Sequence, residues 1–184
     1  MRKVILFVTV LIAFNSFSQS IQDSDIRSFE NKISKIKNTE LLSMSDKLYE
    51  SQTESAKTII ALKECVKRNL DKGNSLYRLG VSYIENGETE NGIKELEKAI
   101  KIEPENFKAY FNIGAVCYDI KQYEKSVEYY QKALEIEPKN DACYYGIALS
   151  EYILNKKKSS KQNCEKALKL NPNNINAKLL LEKY

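Results

Sequence analysis

Three stretches of the sequence end in nearly the same way: GIKELEKAIKIEPEN at residues 92–106, SVEYYQKALEIEPKN at 126–140 and NCEKALKLNPNN at 163–174. Each is typical of the end of a helix followed by a proline, which cannot continue that helix. The three prolines, Pro104, Pro138 and Pro172, are 34 residues apart. This constant spacing predicts a structural repeat.

Small residues recur with the same period. They stand in two columns, Gly80, Gly114 and Ala148 in one and Ala99, Ala133 and Ala167 in the other. Small side chains allow two helix backbones to approach closely. The period aligns residues 73–106, 107–140 and 141–174 without any insertion.

Each repeat has the pattern of two helices. In 107–140, one apolar stripe with i, i+3, i+4, i+7 spacing consists of Tyr110, Ile113, Gly114 and Cys117. A second stripe consists of Val127, Tyr130, Ala133 and Leu134. Because this spacing places residues on one helical face, the repeat is predicted to be a helix–turn–helix.

The pattern resembles the tetratricopeptide repeat (TPR) family, which has 34-residue helix–turn–helix units with small residues and proline at these offsets. The resemblance covers 73–174 and implies an all-α, short TPR-type α-solenoid of antiparallel helix pairs with capping helices. Two positions depart from the family: Gly92 stands where Ala is preferred, and Glu151 where an apolar residue is usual. We therefore expect the third hairpin to pack less tightly.

Flanking segments extend the repeats on both sides. Residues 175–184 are predicted to form a C-terminal capping helix, since a solenoid's last stacking face needs cover. Residues 39–72 have the length of one unit and are predicted to form a degenerate leading hairpin, with Leu42 in the core and Asp46 where a small residue belongs. In 19–38, a helix from about Ser24 to Lys37 carries an apolar stripe of Ile26, Phe29, Ile33 and Ile36. It is expected to cap the N-terminal end or to fold back over the groove.

The first 18 residues have the composition of a signal peptide. Arg2 and Lys3 precede an apolar run that is too short to span a bilayer, and Ser16 and Ser18 have the spacing of a cleavage site. We expect export to the periplasm or the medium, a mature chain that starts near Gln19, and no stable membrane span after cleavage. A buried N-terminal helix and a retained membrane anchor are the alternatives. None of the 16 Asn residues lies in an Asn-x-Ser/Thr sequence, which favours a bacterial envelope.

Composition argues against several classes of function. The chain has no His, which removes the usual catalytic base and the commonest metal ligand. It also has no Gly-rich phosphate loop and no Cys-x-x-Cys motif, so we predict no enzyme activity, no cofactor and no metal site. Lys and Glu alternate along the helices, with a net charge of +4, and no nucleic-acid partner is expected.

Four cysteines need a separate interpretation in an exported chain. In the repeat alignment Cys65, Cys117 and Cys164 occupy core positions and Cys143 flanks one, so they are predicted to be small buried hydrophobes. One pair, Cys143 and Cys164, is offset by only ~4.5 Å along antiparallel helices and could form a disulfide.

The resemblance implies that the first helix of each pair lines a concave groove. The residues predicted to bind a protein or peptide partner there are Tyr77, Arg78, Val81, Lys108, Phe111, Asn112, Tyr118, Tyr145 and Tyr152. The alternative is that these rings fill a tight inner wall or contact the N-terminal helix. One TPR subclass grips a terminal carboxylate with Lys, Asn, Asn, Lys and Arg. Those positions hold Tyr77, Val81, Asn112, Ala142 and Gly146 here, which argues against that mode.

The sequence thus predicts a non-catalytic protein–protein interaction module, scaffold or assembly factor of the cell envelope. A structural subunit of an envelope complex, stable only when docked, is the alternative. The lysine run Lys156–Lys158 with Lys161 lies in the turn of the third hairpin. It is interpreted as a solvated turn, with contact to an anionic membrane or an acidic partner as the other possibility.

Overall fold

The computed structural model describes residues 22–184, and every regular element in that part of the chain is a helix. The predicted signal peptide, residues 1–18, lies outside the described residues. No helix between residues 22 and 184 has the length and apolar character needed to cross a membrane. The chain divides into two compact units, the first ending at Leu70 and the second running from Asp71 to Tyr184.

Residues 22–70 of the first unit form three helices. They are α1 (22–33), α2 (Asn38–Ser51) and α3 (Ser55–Lys67). Ile33, Leu41, Ala61 and Cys65 form its buried core. The helices α2 and α3 pack against each other, and α2 is one residue out of the phase predicted for 39–72.

This shift of one residue explains why the sequence alignment placed Asp46 at the position of a small residue. Leu41, not Leu42, is completely buried, and Ser45, not Asp46, lies at the small-residue position. The Cys65 thiol donates a hydrogen bond to Ser45 Oγ at 3.6 Å, so the two helices meet through these small side chains. Asp46 is only half-buried.

The first helix, α1, ends earlier than its apolar stripe predicts, because Arg68 binds the carbonyl groups at its C-terminus. The sequence predicts a helix to Lys37, whereas the helix stops at 33. The Arg68 guanidinium donates to the carbonyl oxygens of Ile33 at 2.8 Å, Ser34 at 3.1 Å and Ile36 at 2.8 Å. A cation at a helix C-terminus satisfies unpaired carbonyls and interacts favourably with the helix dipole.

The second unit consists of three helical hairpins and one further helix. The helices are α4 (Lys72–Glu85), α5 (Thr89–Ile102), α6 (Phe107–Asp119), α7 (Tyr123–Ile136), α8 (Asp141–Ile153), α9 (Lys157–Leu170) and α10 (Ile175–Leu181). Successive helices pack against each other along the chain. The predicted all-α, TPR-type solenoid is therefore confirmed.

The first helices of the later repeats all begin after the same capping residue, Asn. The side chains of Asn106, Asn140 and Asn174 precede α6, α8 and α10, and each accepts a hydrogen bond from the backbone N–H three residues on. An Asn at this position satisfies a backbone donor that the helix itself leaves unpaired. The 34-residue spacing of these caps makes α10 the first helix of a fourth, partial repeat.

Close approach of helices depends on the glycines. A Cβ at Gly80 would lie 2.9 Å from the carbonyl oxygen of Gly92, so the backbones of α4 and α5 are in direct contact. This contact accounts for Gly92, the first departure from the family pattern. In the next hairpin, the ring of Tyr130 on α7 packs over Gly114 of α6 and Gly146 of α8.

A buried carboxylate holds the third hairpin. Glu151 is only 7% exposed. Its two oxygens accept hydrogen bonds from Ser159 Oγ at 2.6 Å and Asn163 Nδ2 at 2.8 Å. Two hydrogen bonds thus replace the apolar contact usual at this position, and neither carboxylate oxygen is left unpaired. The prediction of looser packing did not take these hydrogen bonds into account.

The last helix covers the end of the third hairpin. Leu180 is buried against Ala148 and Cys164. Beyond α10, Tyr184 hydrogen-bonds through its hydroxyl to Ser160, which donates in turn to the Ala148 carbonyl oxygen at 2.6 Å. The C-terminal residues therefore seal the stacking face of α8 and α9.

We predict that Gly146→Ala destabilises the protein more than Gly114→Ala does. A Cβ at Gly146 would lie 2.6 Å from Tyr130 Cζ, so the ring would have to move, while at Gly114 the nearest ring atoms would be 3.1 Å away. Overpacking of this kind costs ~1–3 kcal/mol, against which Ala gains ~1 kcal/mol of helix propensity. Thermal melting measures both variants.

Gln131→Ala is the matched control, since Gln131 is exposed on the same helix as Tyr130. Equal melting temperatures for the two glycine variants would contradict the packing of Tyr130 described above.

Candidate functional site

The candidate site is the face formed by the first helices of the three hairpins, α4, α6 and α8. The helix α6 contacts both α4 and α8, so equivalent residues of successive repeats are neighbours. We call this the partner face and define it by the nine predicted residues, three on α4, four on α6 and two on α8. All nine are half-buried except Lys108, which is exposed.

An aromatic ring occupies the same position in each repeat of the partner face: Tyr77, Phe111 and Tyr145. The Asn112 amide donates to the Tyr77 hydroxyl at 3.3 Å and so links α6 to α4. Burial raises the pKa of Tyr77, and the hydrogen bond from Asn112 offsets part of that rise. The ring is therefore neutral and fixed in orientation at physiological pH.

One side of the Phe111 ring packs against the core. Its ring meets the ring of Tyr130 edge-on, with 5.4 Å between centroids, and lies 5.8 Å from the ring of Phe107. Tyr130 is buried with Ala133, Cys143 and Ile147. One side of Phe111 is thus packed, while part of the side chain is left open to solvent.

The outer rings have partners of their own. Tyr118 packs edge-on against Tyr123 at 5.5 Å, and Tyr152 against Tyr184 at 5.7 Å. Tyr145 packs on the cluster of Ala148, Cys164 and Leu180. The rings are therefore neither core residues nor free side chains.

Leu179 is a further residue in this series that the sequence reasoning missed. It follows Tyr145 by 34 residues, lies on α10 and is 53% exposed. Adding one more period to the aromatic column would have found it. The column of apolar side chains therefore continues onto the fourth, partial repeat.

The cysteine side chains belong to the buried clusters and are not exposed on the partner face. All four are free thiols and all are buried. Cys143 packs with Tyr130, whereas Cys164 packs with Ala148 and Leu180, so the proposed pair belongs to two different clusters. Burial raises the pKa of Cys143 to about 12 and that of Cys164 to about 11.

Among residues 22–184, no group of three or more His, Cys, Asp or Glu side chains is placed to hold a metal ion. The partner face offers rings, one amide and flanking charges, groups that are common in contacts between proteins.

Comparison with sequence families identifies the repeats. Models of the tetratricopeptide repeat match residues 107–140 and 142–174, and a further TPR repeat model matches residues 80–120. The predicted tetratricopeptide repeats are thus confirmed, and the chain is a TPR protein over this region. No curated protein matches the sequence.

Solved structures with the same fold include MamA 41-end from Desulfovibrio magneticus RS-1. It is 21% identical, with 78% of this chain and 81% of that chain covered and a TM-score of 0.72. A crystal structure of MamA is 23% identical, with coverages of 91% and 94% and a TM-score of 0.68. The first TPR domain of Spaghetti (RPAP3), bound to an HSP90 peptide, is 22% identical, with coverages of 61% and 90% and a TM-score of 0.59. At these identities the likeness establishes the fold.

We predict that the four thiols resist alkylation in the folded protein. The thiolate is the reactive form, and a raised pKa together with burial keeps the thiols protonated and out of contact with the reagent. Iodoacetamide at about pH 8 should leave the native chain unlabelled, and it should label all the thiols in guanidinium chloride. Intact mass spectrometry counts the labels.

The same pKa shifts set the sign of a pH effect. The thiols of Cys143 and Cys164 have pKa values above their ordinary value of 9.0, so they bind their protons more tightly in the folded chain. Above that pH the unfolded chain releases the protons first, so the free energy of unfolding falls as the pH rises toward the pKa values of the folded chain.

In the alkylation experiment, labelling of only two of the four thiols in denaturant would contradict four free thiols and would indicate a disulfide.

Proposed function

We propose that this chain is an exported, non-catalytic interaction module of the cell envelope that binds a peptide or a partner helix on the partner face. One observation carries the proposal. Tyr77, Phe111 and Tyr145 repeat at one position of successive first helices, and each is packed on one side while remaining partly exposed on the other.

Rings in this state suit a binding surface for energetic reasons. A half-exposed aromatic side chain still has apolar area to remove from water when a partner covers it. Its contacts with Asn112 or Tyr130 already restrict its motion, so little conformational entropy is lost on binding. Such rigid aromatic side chains are typical binding hot spots.

Charged residues beside the rings give the ligand an orientation. Lys108 is exposed near the start of α6 and Asp119 at its end, so opposite charges flank Phe111 along one helix. Only Asn112 matches the five residues with which one TPR subclass grips a terminal carboxylate. We therefore propose that the ligand is recognised through its side chains rather than its C-terminus.

The structural relatives support a polypeptide as the ligand. The Spaghetti (RPAP3) domain is bound to an HSP90 peptide, and its fold covers 61% of this chain. A surface of this architecture can therefore carry a peptide.

Export is the second part of the proposal and rests on residues 1–18 of the sequence. The buried thiols are compatible with an oxidising compartment, since a protonated thiol inside a packed cluster is a poor target for oxidation. The proposed location is the periplasm or the medium.

Photo-crosslinking in intact cells tests location and partner together. A photoreactive residue replaces Lys108 on the partner face, and the control replaces Lys139 in the exposed loop before α8. We expect an envelope-derived product at Lys108 but not at Lys139, with an N-terminus near Gln19. Recovery of the uncleaved chain in the cytoplasm would contradict export, and equal products at both positions would contradict the partner face.

We predict that Phe111→Ala and Tyr145→Ala weaken binding of the crosslinked partner about 30-fold each. Loss of an aromatic hot spot costs about 2 kcal/mol or more. Titration of the purified partner measures affinity, and circular dichroism melts are recorded beside it, because Phe111 also supports Tyr130.

Tyr145→Phe is the conservative control and should bind nearly as the wild type does. Normal binding by both alanine variants would contradict the proposed site. A wild-type chain that melts without cooperativity until the partner is added would favour the alternative, a structural subunit that is stable only when docked.

A further inference from the structure

The turn between α8 and α9 has a charge pattern opposite to that of the other hairpins. The second helices of the first two hairpins carry an acidic residue in their first turn, Glu90 in α5 and Glu124 in α7. At the equivalent position α9 has Lys158, preceded by Lys156 and Lys157, and no acidic residue in its first turn. All three lysines are exposed.

Helix stability does not explain these lysines. The N-terminus of a helix carries a partial positive charge, so acidic side chains stabilise it and basic ones destabilise it. Three lysines at the start of α9 therefore work against the fold. Residues that break a local rule in this way often belong to a functional surface.

An exposed apolar side chain lies beside the lysines. Ile153, at the end of α8, is 47% exposed and precedes Lys156 by three residues. Ile120, which is 37% exposed after α6, lies instead beside Glu90, Ile93 and Glu97 of α5.

We infer that this tip of the second unit docks on an anionic lipid surface. We call the patch the lysine tip: Ile153, Lys156, Lys157 and Lys158. Lysine ammonium groups pair with lipid phosphates, while the exposed Ile153 side chain enters the headgroup region. A protruding turn fits a broad, deformable surface better than it fits a peptide, which needs a groove.

The opposite end of the same edge sets the orientation of docking. Glu85, Glu88 and Glu90 surround the turn of the first hairpin and are all exposed. Asn86 and Asn91 donate to the two carboxylate oxygens of Glu88, at 3.1 and 2.9 Å, and hold that charge in place. An anionic surface repels this turn, so contact occurs through the third hairpin. The partner face is a different surface and is not used in this contact.

Co-sedimentation of the full chain with vesicles tests the inference. We expect stronger binding to vesicles of phosphatidylcholine with phosphatidylglycerol than to phosphatidylcholine alone. The neutral vesicles account for any binding by the apolar N-terminal residues. Binding to the anionic vesicles should weaken as salt is raised, since exposed charges are screened.

The key variant is Lys157→Thr/Lys158→Glu, which copies Thr89 and Glu90 of the first hairpin. It removes three units of positive charge, and at roughly fivefold per lysine charge the affinity for anionic vesicles should fall about 100-fold. The melting temperature should stay unchanged or rise, because the introduced carboxylate would interact favourably with the helix dipole. Unfolding therefore cannot explain the loss.

Two further variants complete the test. Lys139→Thr/Lys169→Glu makes the same change in net charge at exposed positions away from the tip and should leave vesicle binding within about threefold of wild type. Ile153→Ser should weaken binding severalfold by removing the inserted side chain.

Wild-type affinity for anionic vesicles in the tip variant would overturn the inference, as would equal losses in the tip and control variants. Binding of wild type to polyglutamate but not to vesicles would also overturn it and would point to an acidic protein instead. Phe111→Ala should bind vesicles normally, so failure of the partner face and failure of the lysine tip give different results.

Discussion

The ring of Tyr130 joins two of the three hairpins, and the architecture of the second unit depends on it. Its atoms lie where a side chain on Gly114 or Gly146 would have to be, so both α6 and α8 pack directly on this ring of α7. The ring is 6% exposed and also supports Phe111 edge-on. A single buried side chain thus sets the spacing of two repeats and the position of a ring on the partner face. In the first hairpin Leu96 lies over Gly80, but there Gly80 and Gly92 make direct backbone contact.

Periodicity explains why so much of the second unit could be predicted from the sequence. The columns of Gly and Ala identify positions where packing permits few residue types, and the structure places Ala99, Ala133 and Ala167 completely out of solvent. The prolines are exposed and mark the end of each second helix instead. Single, non-repeated contacts could not be found in this way. The phase of α2 depends on Ser45 meeting Cys65, the end of α1 on Arg68, and the burial of Glu151 on Ser159 and Asn163. Each requires a partner distant in sequence that no period points to.

The candidate site was predictable to the same extent. Repeat alignment places Tyr77, Phe111 and Tyr145 on one face, but it cannot say how deeply each ring is packed, because that depends on unique neighbours such as Asn112 and Tyr184. The two proposed surfaces differ in their relation to the repeat. The aromatic rings of the partner face recur with the 34-residue period, whereas the lysines of α9 stand where the other hairpins have acidic residues.

Native-state hydrogen exchange on wild type and Tyr130→Ala tests the central role of this ring most directly. If Tyr130 joins the hairpins, amides of α6, α7 and α8 in the wild type should share one opening free energy. In the variant, α8 to α10 should exchange through a separate opening of lower free energy, while α4 and α5 change little. Unchanged protection of α8 in Tyr130→Ala, or an equal loss in every helix of the second unit, would contradict the account.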